Sequence, residues 1–120
     1  MNLIYTPNYP SNYNINEKCS WTILTSIEQE QIQLHFVDFQ TMPALDKLYV
    51  YDGESSSSPL IRTYDGYIPD GSVPEDIIST GTALTLIFDT LRFSKSDTNY
   101  RGFEIRYFLK GNYLKNDLIH

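Results

Sequence analysis

Apolar and polar residues alternate in several short runs along the chain. In the run 31–36, Ile32, Leu34 and Phe36 fall on one side of an extended backbone and polar residues fall on the other. The same period of two recurs in the runs 20–23, 48–51, 84–88 and 103–107. This alternation is typical of β-strands that bury one face, and no segment shows a convincing helical period. The pattern therefore predicts an all-β protein.

Turn-forming residues separate these runs. Pro7 and Pro10 fix their own φ and favour extended geometry in the residues before them, so the segment 5–13 should run open along the surface. Asp52-Gly53 is a turn signal that ends the run before it, and a serine-rich loop follows at 54–59. Short strands between turns are typical of a sandwich or barrel, and we expect about eight strands.

Length and composition narrow the class of protein. The chain has 120 residues, which suits one domain with its own core. Aromatic residues make up 14% of it, including ten tyrosines, and this content favours half-buried strand surfaces. The formal net charge of −6 argues against a basic surface for nucleic acid or anionic membrane. No apolar run approaches the roughly 20 residues that span a bilayer, so we expect no membrane insertion.

The sequence gives little support for catalysis. Its two histidines are His35, inside a strand run, and His120, the last residue, and no motif places either beside a nucleophile. The chain contains no nucleophile elbow, no glycine-rich phosphate loop and no His/Cys cluster at zinc spacing. We therefore expect a protein without enzymatic activity of its own, in which His35 is a solvated, outward-facing strand residue.

The order of several short motifs resembles that of a CUB domain, an extracellular β-sandwich module. The opening Thr6-Pro7-Asn8-Tyr9-Pro10, with Tyr13 and Cys19-Ser20-Trp21 after it, matches the start of the family pattern with Thr6 in place of a serine. Later motifs follow in the family's order at 36–39 (Phe-Val-Asp-Phe), 46–53 (Asp-Lys-Leu-Tyr-Val-Tyr-Asp-Gly), 57–61, 83–88 and 101–103 (Arg-Gly-Phe). The resemblance spans about 4–108, nearly the whole chain.

The resemblance implies a fold and a general role. It implies an antiparallel jelly-roll-type β-sandwich of two sheets at 1–110, with a truncated N-terminal edge, followed by a tail or linker stub at 111–120. It also implies a non-catalytic, extracellular module for protein–protein recognition and adhesion within a larger secreted or cell-surface protein. The alternative is a carbohydrate-binding, lectin-like module, for which Tyr100 between Asn99 and Arg101 is the only suitable cluster.

Cysteine usage departs from the family pattern. CUB domains usually have two disulfides, but Cys19 is the only cysteine of this chain. Cys19 matches a cysteine whose partner would precede Met1, and the second pair falls on Pro43/Ala44 and on Asp65. Two interpretations of Cys19 stay open: half of a bridge to an upstream cysteine, or a buried small apolar residue without chemistry.

Many CUB domains bind calcium at one loop end, and the resemblance assigns candidate ligands here. Tyr13 and Asp46 match two ligand positions of the family, whereas Gln40 stands where the family has a glutamate. Calcium prefers six to eight oxygen ligands, including carboxylates, so the loss of one carboxylate weakens the site. We expect a degenerate site that binds Ca²⁺ at low affinity if at all.

The last candidate ligand depends on the register of the long loop 89–101. Counting from the preceding strand places Leu91 at the family's aspartate position, whereas reading Ser-Asp at 96–97 makes Asp97 the ligand, with Asn99 close behind. The alternative to a calcium site is that Asp46 caps a turn or pairs with an arginine or lysine.

Two sets of residues are candidates for contact with a partner. Tyr49 and Tyr51 point outward from one strand run, and tyrosines supply large contact areas at low entropic cost. Alternatively, they cover sheet surface or pack under a neighbouring loop. The loop 92–101 is the most basic part of an acidic domain, and its candidate contacts are Arg92, Lys95, Tyr100 and Arg101. We expect an extracellular protein as the partner, with a glycan as the alternative.

Overall fold

The structure is a computed structural model that describes residues 2–28, 30–69, 71–92 and 99–110. The proposed tail at 111–120 and the candidate residues Lys95 and Asp97 lie outside these ranges. Within the described ranges the chain forms strands and no helix. The strands are β1 (Asn2–Tyr5), β2 (Lys18–Leu24), β3 (Gln31–Gln40), β4 (Lys47–Tyr51), β5 (Leu60–Tyr64), β6 (Ile77–Ile78), β7 (Ala83–Asp89) and β8 (Gly102–Lys110).

The strands form two antiparallel sheets that pack face to face. The first sheet has the order β1-β8-β3-β6 and the second has the order β2-β7-β4-β5. Every pair of neighbours runs antiparallel. This arrangement confirms the all-β class predicted from the alternation of apolar and polar residues and the two-sheet sandwich implied by the CUB resemblance.

The core lies between the inner faces of the two sheets. Ile32, Leu34 and Phe36 of β3 are fully buried, as their alternation predicted. Leu84 and Leu86 of β7 oppose them from the second sheet and are also fully buried. Burial of one such side chain contributes roughly 1.5–3 kcal/mol, so these side chains contribute substantially to the stability of the fold.

A β-bulge interrupts the alternation in β3. The register against β8 shifts between Phe36 and Asp38. As a result Phe36 and Phe39, three residues apart, are both buried, and their rings lie 6.0 Å apart. A bulge of this kind re-aims the side chains around it, and here it places Asp38 on the outer side of the first sheet.

The segment that follows β1 is fastened to the start of β8. Thr6 is fully buried, and its main-chain N–H donates to the carbonyl oxygen of Phe103 at 3.1 Å. In return the N–H of Phe103 donates to Oγ1 of Thr6 at 3.2 Å. These bonds fix the start of the segment 6–17, which passes along one end of the sandwich and contributes Tyr13 to the site described next.

Candidate functional site

A buried carboxylate lies at the end of the sandwich where the segment 6–17 crosses. The side chain of Asp46 is fully buried. Its Oδ2 atom accepts a hydrogen bond of 2.6 Å from the hydroxyl of Tyr13, which in turn accepts one of 2.9 Å from the N–H of Met42. Its Oδ1 atom lies 3.2 Å from Nε of Arg92. Both carboxylate oxygens therefore contact groups of the chain itself.

The loop before β4 holds Asp46 in place. Oγ1 of Thr41 donates to the carbonyl oxygen of Asp46 at 3.0 Å, and the N–H of Asp46 donates to the carbonyl oxygen of Met42 at 3.2 Å. Thr41 is itself fully buried and accepts a hydrogen bond of 2.9 Å from the N–H of Gly66. The carboxylate thus has little freedom to move away from its partners.

The loop after β7 carries Arg92 inward. Its N–H donates to Oδ1 of Asn16 at 3.3 Å. Two residues earlier, Thr90 is buried, and its N–H donates to the carbonyl oxygen of Glu17 at 2.9 Å. Only 5% of the Arg92 side chain is exposed. Arg92 is therefore not part of an exposed basic contact surface, because its side chain is buried against Asp46.

Among the residues that the structure describes, the candidate calcium ligands do not assemble into a complete site. Of the candidate ligands, the structure brings Tyr13 and Asp46 together. Gln40 ends β3, where it pairs with Gly102, and Asn99 is exposed. Leu91 is 57% exposed and has no oxygen to offer from its side chain. Across the residues that the structure describes, no three His, Cys, Asp or Glu side chains cluster as a metal site would require. The carboxylate of Asp46, which is buried, already faces the guanidinium of Arg92.

A second polar cluster lies on the outer side of the first sheet. The hydroxyl of Tyr9 donates to Oδ2 of Asp38 at 2.8 Å, and Nη2 of Arg101 donates to Oδ1 of the same carboxylate at 3.0 Å. Nε of Arg101 donates to Oδ2 as well, so the guanidinium binds Asp38 through two nitrogens. Arg101, a candidate contact residue, is thus bound to Asp38, which alternation through β3 does not single out because the bulge reverses the direction of its side chain.

The pKa values of this cluster are shifted by its contacts. Burial and the hydrogen bond to Asp38 raise the pKa of Tyr9 to about 12. Burial alone would raise the pKa of Asp38, but the hydrogen bonds from Arg101 and Tyr9 outweigh it and lower that pKa below its ordinary value. The hydrogen bonds to Asp38 likewise raise the pKa of Arg101. The cluster thus joins the segment 6–17, β3 and the start of β8 through charge-assisted hydrogen bonds.

The outer face of the second sheet carries the two candidate tyrosines. The rings of Tyr49 and Tyr51 stack with centroids 6.4 Å apart and planes 21° apart, and both side chains are half-buried. The strand register sets two cross-strand rows through them, and neither row contains a charged residue. We call these rows the tyrosine face: Ser20, Ile87, Tyr49 and Thr63 in one row, and Thr22, Thr85, Tyr51 and Leu60 in the other.

Other singled-out residues have structural partners. Tyr100 is half-buried, packs against the core and lies 5.8 Å from the ring of Tyr67. Nδ1 of His35 lies 2.8 Å from Oδ1 of Asp76, and 47% of the His35 side chain is exposed. Cys19 is half-buried in β2, and burial with the nearby Glu17 charge raises the pKa of its thiol. A thiol with a raised pKa is a poor nucleophile at neutral pH.

Comparison with known proteins identifies the family. A family model described as CUB domain matches residues 1–107. The chain belongs to the CUB domain family. Tolloid-like protein 1 of Homo sapiens is 37% identical over 109 residues, which are 88% of this chain and 10% of that protein. Cubilin of Rattus norvegicus is 34% identical over 108 residues, which are 87% of this chain and 3% of that protein. This CUB domain therefore spans a tenth or less of the length of these two relatives.

Solved structures agree on the fold. The CUB1-EGF-CUB2 domain of human MASP-1/3 matches with a TM-score of 0.76 at 20% identity, covering 98% of this chain and 44% of that one. The MASP-1 CUB2 domain bound to Ca²⁺ matches with a TM-score of 0.58 at 20% identity, covering 88% of each chain. At these identities the likeness establishes the CUB fold alone.

Membership of the family sets the general role. CUB domains are non-catalytic modules of extracellular proteins and generally mediate protein interactions. Where relatives have proteolytic activity, other domains carry it. The described part of this chain contains no helix long and apolar enough to cross a membrane.

Proposed function

We propose that this CUB domain is a protein-recognition module that binds an extracellular protein through the tyrosine face. It acts within a larger secreted or cell-surface protein, as the small share of each relative that it matches suggests. The observation that carries the proposal is the stacked pair of Tyr49 and Tyr51 on a sheet face whose two central rows are free of charge.

The composition of this face suits a protein contact. Protein interfaces are depleted of charge at their centre and enriched in tyrosine, which combines a large apolar area with a hydroxyl that hydrogen-bonds at the rim. Leu60, 51% exposed, extends the apolar area beside Tyr51. Charged residues on this face occur in the next row, where Lys18 and Lys47 flank Asp89. A charge-free centre beside a charged row is the arrangement of an interface core and its rim.

The fold also presents this face in a rigid form. Oγ1 of Thr85 donates to the carbonyl oxygen of Gly53 at 2.9 Å, which ties β7 to the turn after Tyr51. Oδ1 and Oδ2 of Asp52 accept hydrogen bonds of 3.1 and 2.7 Å from the N–H and hydroxyl of Thr80. Because the two rings stack on a fixed strand, little conformational entropy is lost when a partner covers them.

Binding by a tyrosine-face variant tests the proposal. The purified domain is immobilised and exposed to extracellular proteins of its source, and each captured protein is then titrated against wild-type domain and variants. We expect Tyr49→Ser and Tyr51→Ser each to weaken the affinity by roughly tenfold or more, the loss typical of a central interface tyrosine. Enzymatic deglycosylation of the captured protein should leave the affinity unchanged.

The matched control is Tyr5→Ser. Tyr5 is 52% exposed and belongs to β1 of the first sheet, so the same exchange removes a tyrosine far from the proposed contact. Its affinity should equal that of the wild type, and circular dichroism should show the same fold for all variants. Equal affinities for all three variants would refute the proposal that the tyrosine face binds the partner. Saturable binding to a glycan array, lost in Tyr100→Ala, would establish the carbohydrate-binding alternative instead.

A further inference from the structure

A positive charge of the chain itself lies against the buried carboxylate of Asp46. We propose that Arg92 is a built-in cation that takes the place of a bound calcium ion, so that this end of the CUB domain is held together without metal. The inference does not depend on which partner the domain binds.

The contacts of Asp46 disfavour a second cation. A calcium ion binds carboxylate oxygens at about 2.3–2.6 Å and needs six to eight oxygens in all. Here Oδ2 is 2.6 Å from the Tyr13 hydroxyl and Oδ1 is 3.2 Å from Nε of Arg92. An entering ion would have to displace a guanidinium whose side chain is 5% exposed, or remain beside that like charge in a poorly solvated site.

Among the described residues, the charges of Asp46 and Arg92 balance each other. One buried carboxylate faces one buried guanidinium, and no other acidic side chain of the described residues lies within ion-pair distance of Arg92. A buried charge is tolerated when an opposite charge compensates it, and removal of either partner leaves the other uncompensated. Arg92 therefore compensates the charge of Asp46 as a bound cation would.

Arg92 also joins the same segments that a metal would cross-link. Its N–H is bonded to Asn16, which lies three residues after Tyr13, and its side chain reaches Asp46 just before β4. The pair thus connects the segment 6–17, the loop 41–46 and the loop after β7. These native contacts between three stretches distant in sequence hold the loop end in place in the folded protein.

Calcium and thermal unfolding test this proposal on the whole chain. Wild-type protein is melted with EDTA and with about 10 mM CaCl₂, at which even a site with a dissociation constant of about 1 mM would raise the melting temperature by several degrees. We expect the same melting temperature with EDTA and with CaCl₂, and no heat of calcium binding by calorimetry. A calcium-dependent rise in the wild-type melting temperature would overturn the proposal, and this measurement requires no variant to fold.

Variants of the pair test the role of Arg92 itself. Arg92→Met keeps the aliphatic length but removes the charge, and we expect its melting temperature to fall by roughly 10 °C or more. Adding Asp46→Asn should restore part of that loss, because the uncompensated charge disappears. The matched control Arg62→Met alters an exposed residue of β5 and should change little. An Arg92→Met protein as stable as the wild type, or strictly additive losses in the double variant, would refute the built-in cation.

Discussion

The main-chain N–H of Ala44 donates a hydrogen bond of 3.0 Å to Oδ2 of Asp65. Asp65 and the pair Pro43/Ala44 match the places of the second pair of cysteines in the CUB pattern. Pro43 packs beside Gly66, the residue after Asp65, since a Cβ on Gly66 would lie 3.7 Å from Cγ of Pro43. The two loops that a covalent bridge would join therefore stay adjacent through a hydrogen bond and packing.

This adjacency predicts that a disulfide can be restored. We expect the double change Ala44→Cys and Asp65→Cys, made together with Cys19→Ser, to form a bridge on oxidation. Closing a loop of this length stabilises the folded state by about 3 kcal/mol in the chain-entropy model. Urea unfolding of the oxidised and reduced forms measures the gain, with Cys19→Ser alone as the control. Free thiols that persist after oxidation would contradict the expected closeness of these two loops.

Gly102 permits the close approach of the N-terminal segment to β8. A Cβ at this position would lie 2.0 Å from Oγ1 of Thr6, and the residue has a φ of +88°. We expect Gly102→Ala to reduce the free energy of unfolding by about 3 kcal/mol or more, because backbone strain adds to a clash with a buried residue. Urea unfolding of the variant and the wild type measures the difference.

Two other glycines separate the contributions of strain and clash. Gly71 also has a positive φ, of +82°, but a Cβ there meets nothing within 4 Å, so Gly71→Ala should lose only about 1 kcal/mol from strain. Gly81 has open space and no positive φ, and Gly81→Ala should be nearly neutral. A Gly102→Ala variant no less stable than Gly71→Ala would show that Thr6 moves aside at little cost.

Sequence patterns located most of the sandwich because burial of one strand face leaves a period of two. Ile32, Leu34 and Phe36 were identified this way, as was the outward position of Tyr49. The strand β1 could not be located from the sequence pattern, because only one of its four side chains, Ile4, is buried and four residues with one buried side chain show almost no period of two.

The candidate site was harder to predict than the fold. Tyr13 and Asp46 were paired through the family pattern, and the structure places them in direct contact. The sequence motifs allow Asp46 to pair with an arginine or lysine, but they place Arg92 among the exposed contact residues, because arginine is almost always exposed unless a partner compensates its charge. In the register that places Leu91 at the family's aspartate position, a carboxylate is missing there and the next residue is Arg92, which is a local signal for a cation near Asp46.

The cluster of Tyr9, Asp38 and Arg101 predicts how stability depends on pH. Because the pKa of Asp38 is lower in the folded chain, its contribution to stability is present above the ordinary value of 3.8 and is lost as pH falls through the folded pKa. The raised pKa of Tyr9 acts at the other extreme, where stability is lost as pH rises from 10.0 towards about 12.

We expect Asp38→Asn to be less stable than the wild type at neutral pH and to lose less stability on acidification, as measured by urea unfolding across the acid range. Arg101→Gln, which removes the partner and keeps the carboxylate, should flatten the acid dependence in the same direction. Parallel pH profiles for both variants and the wild type would show that the tie to Asp38 contributes nothing to folding.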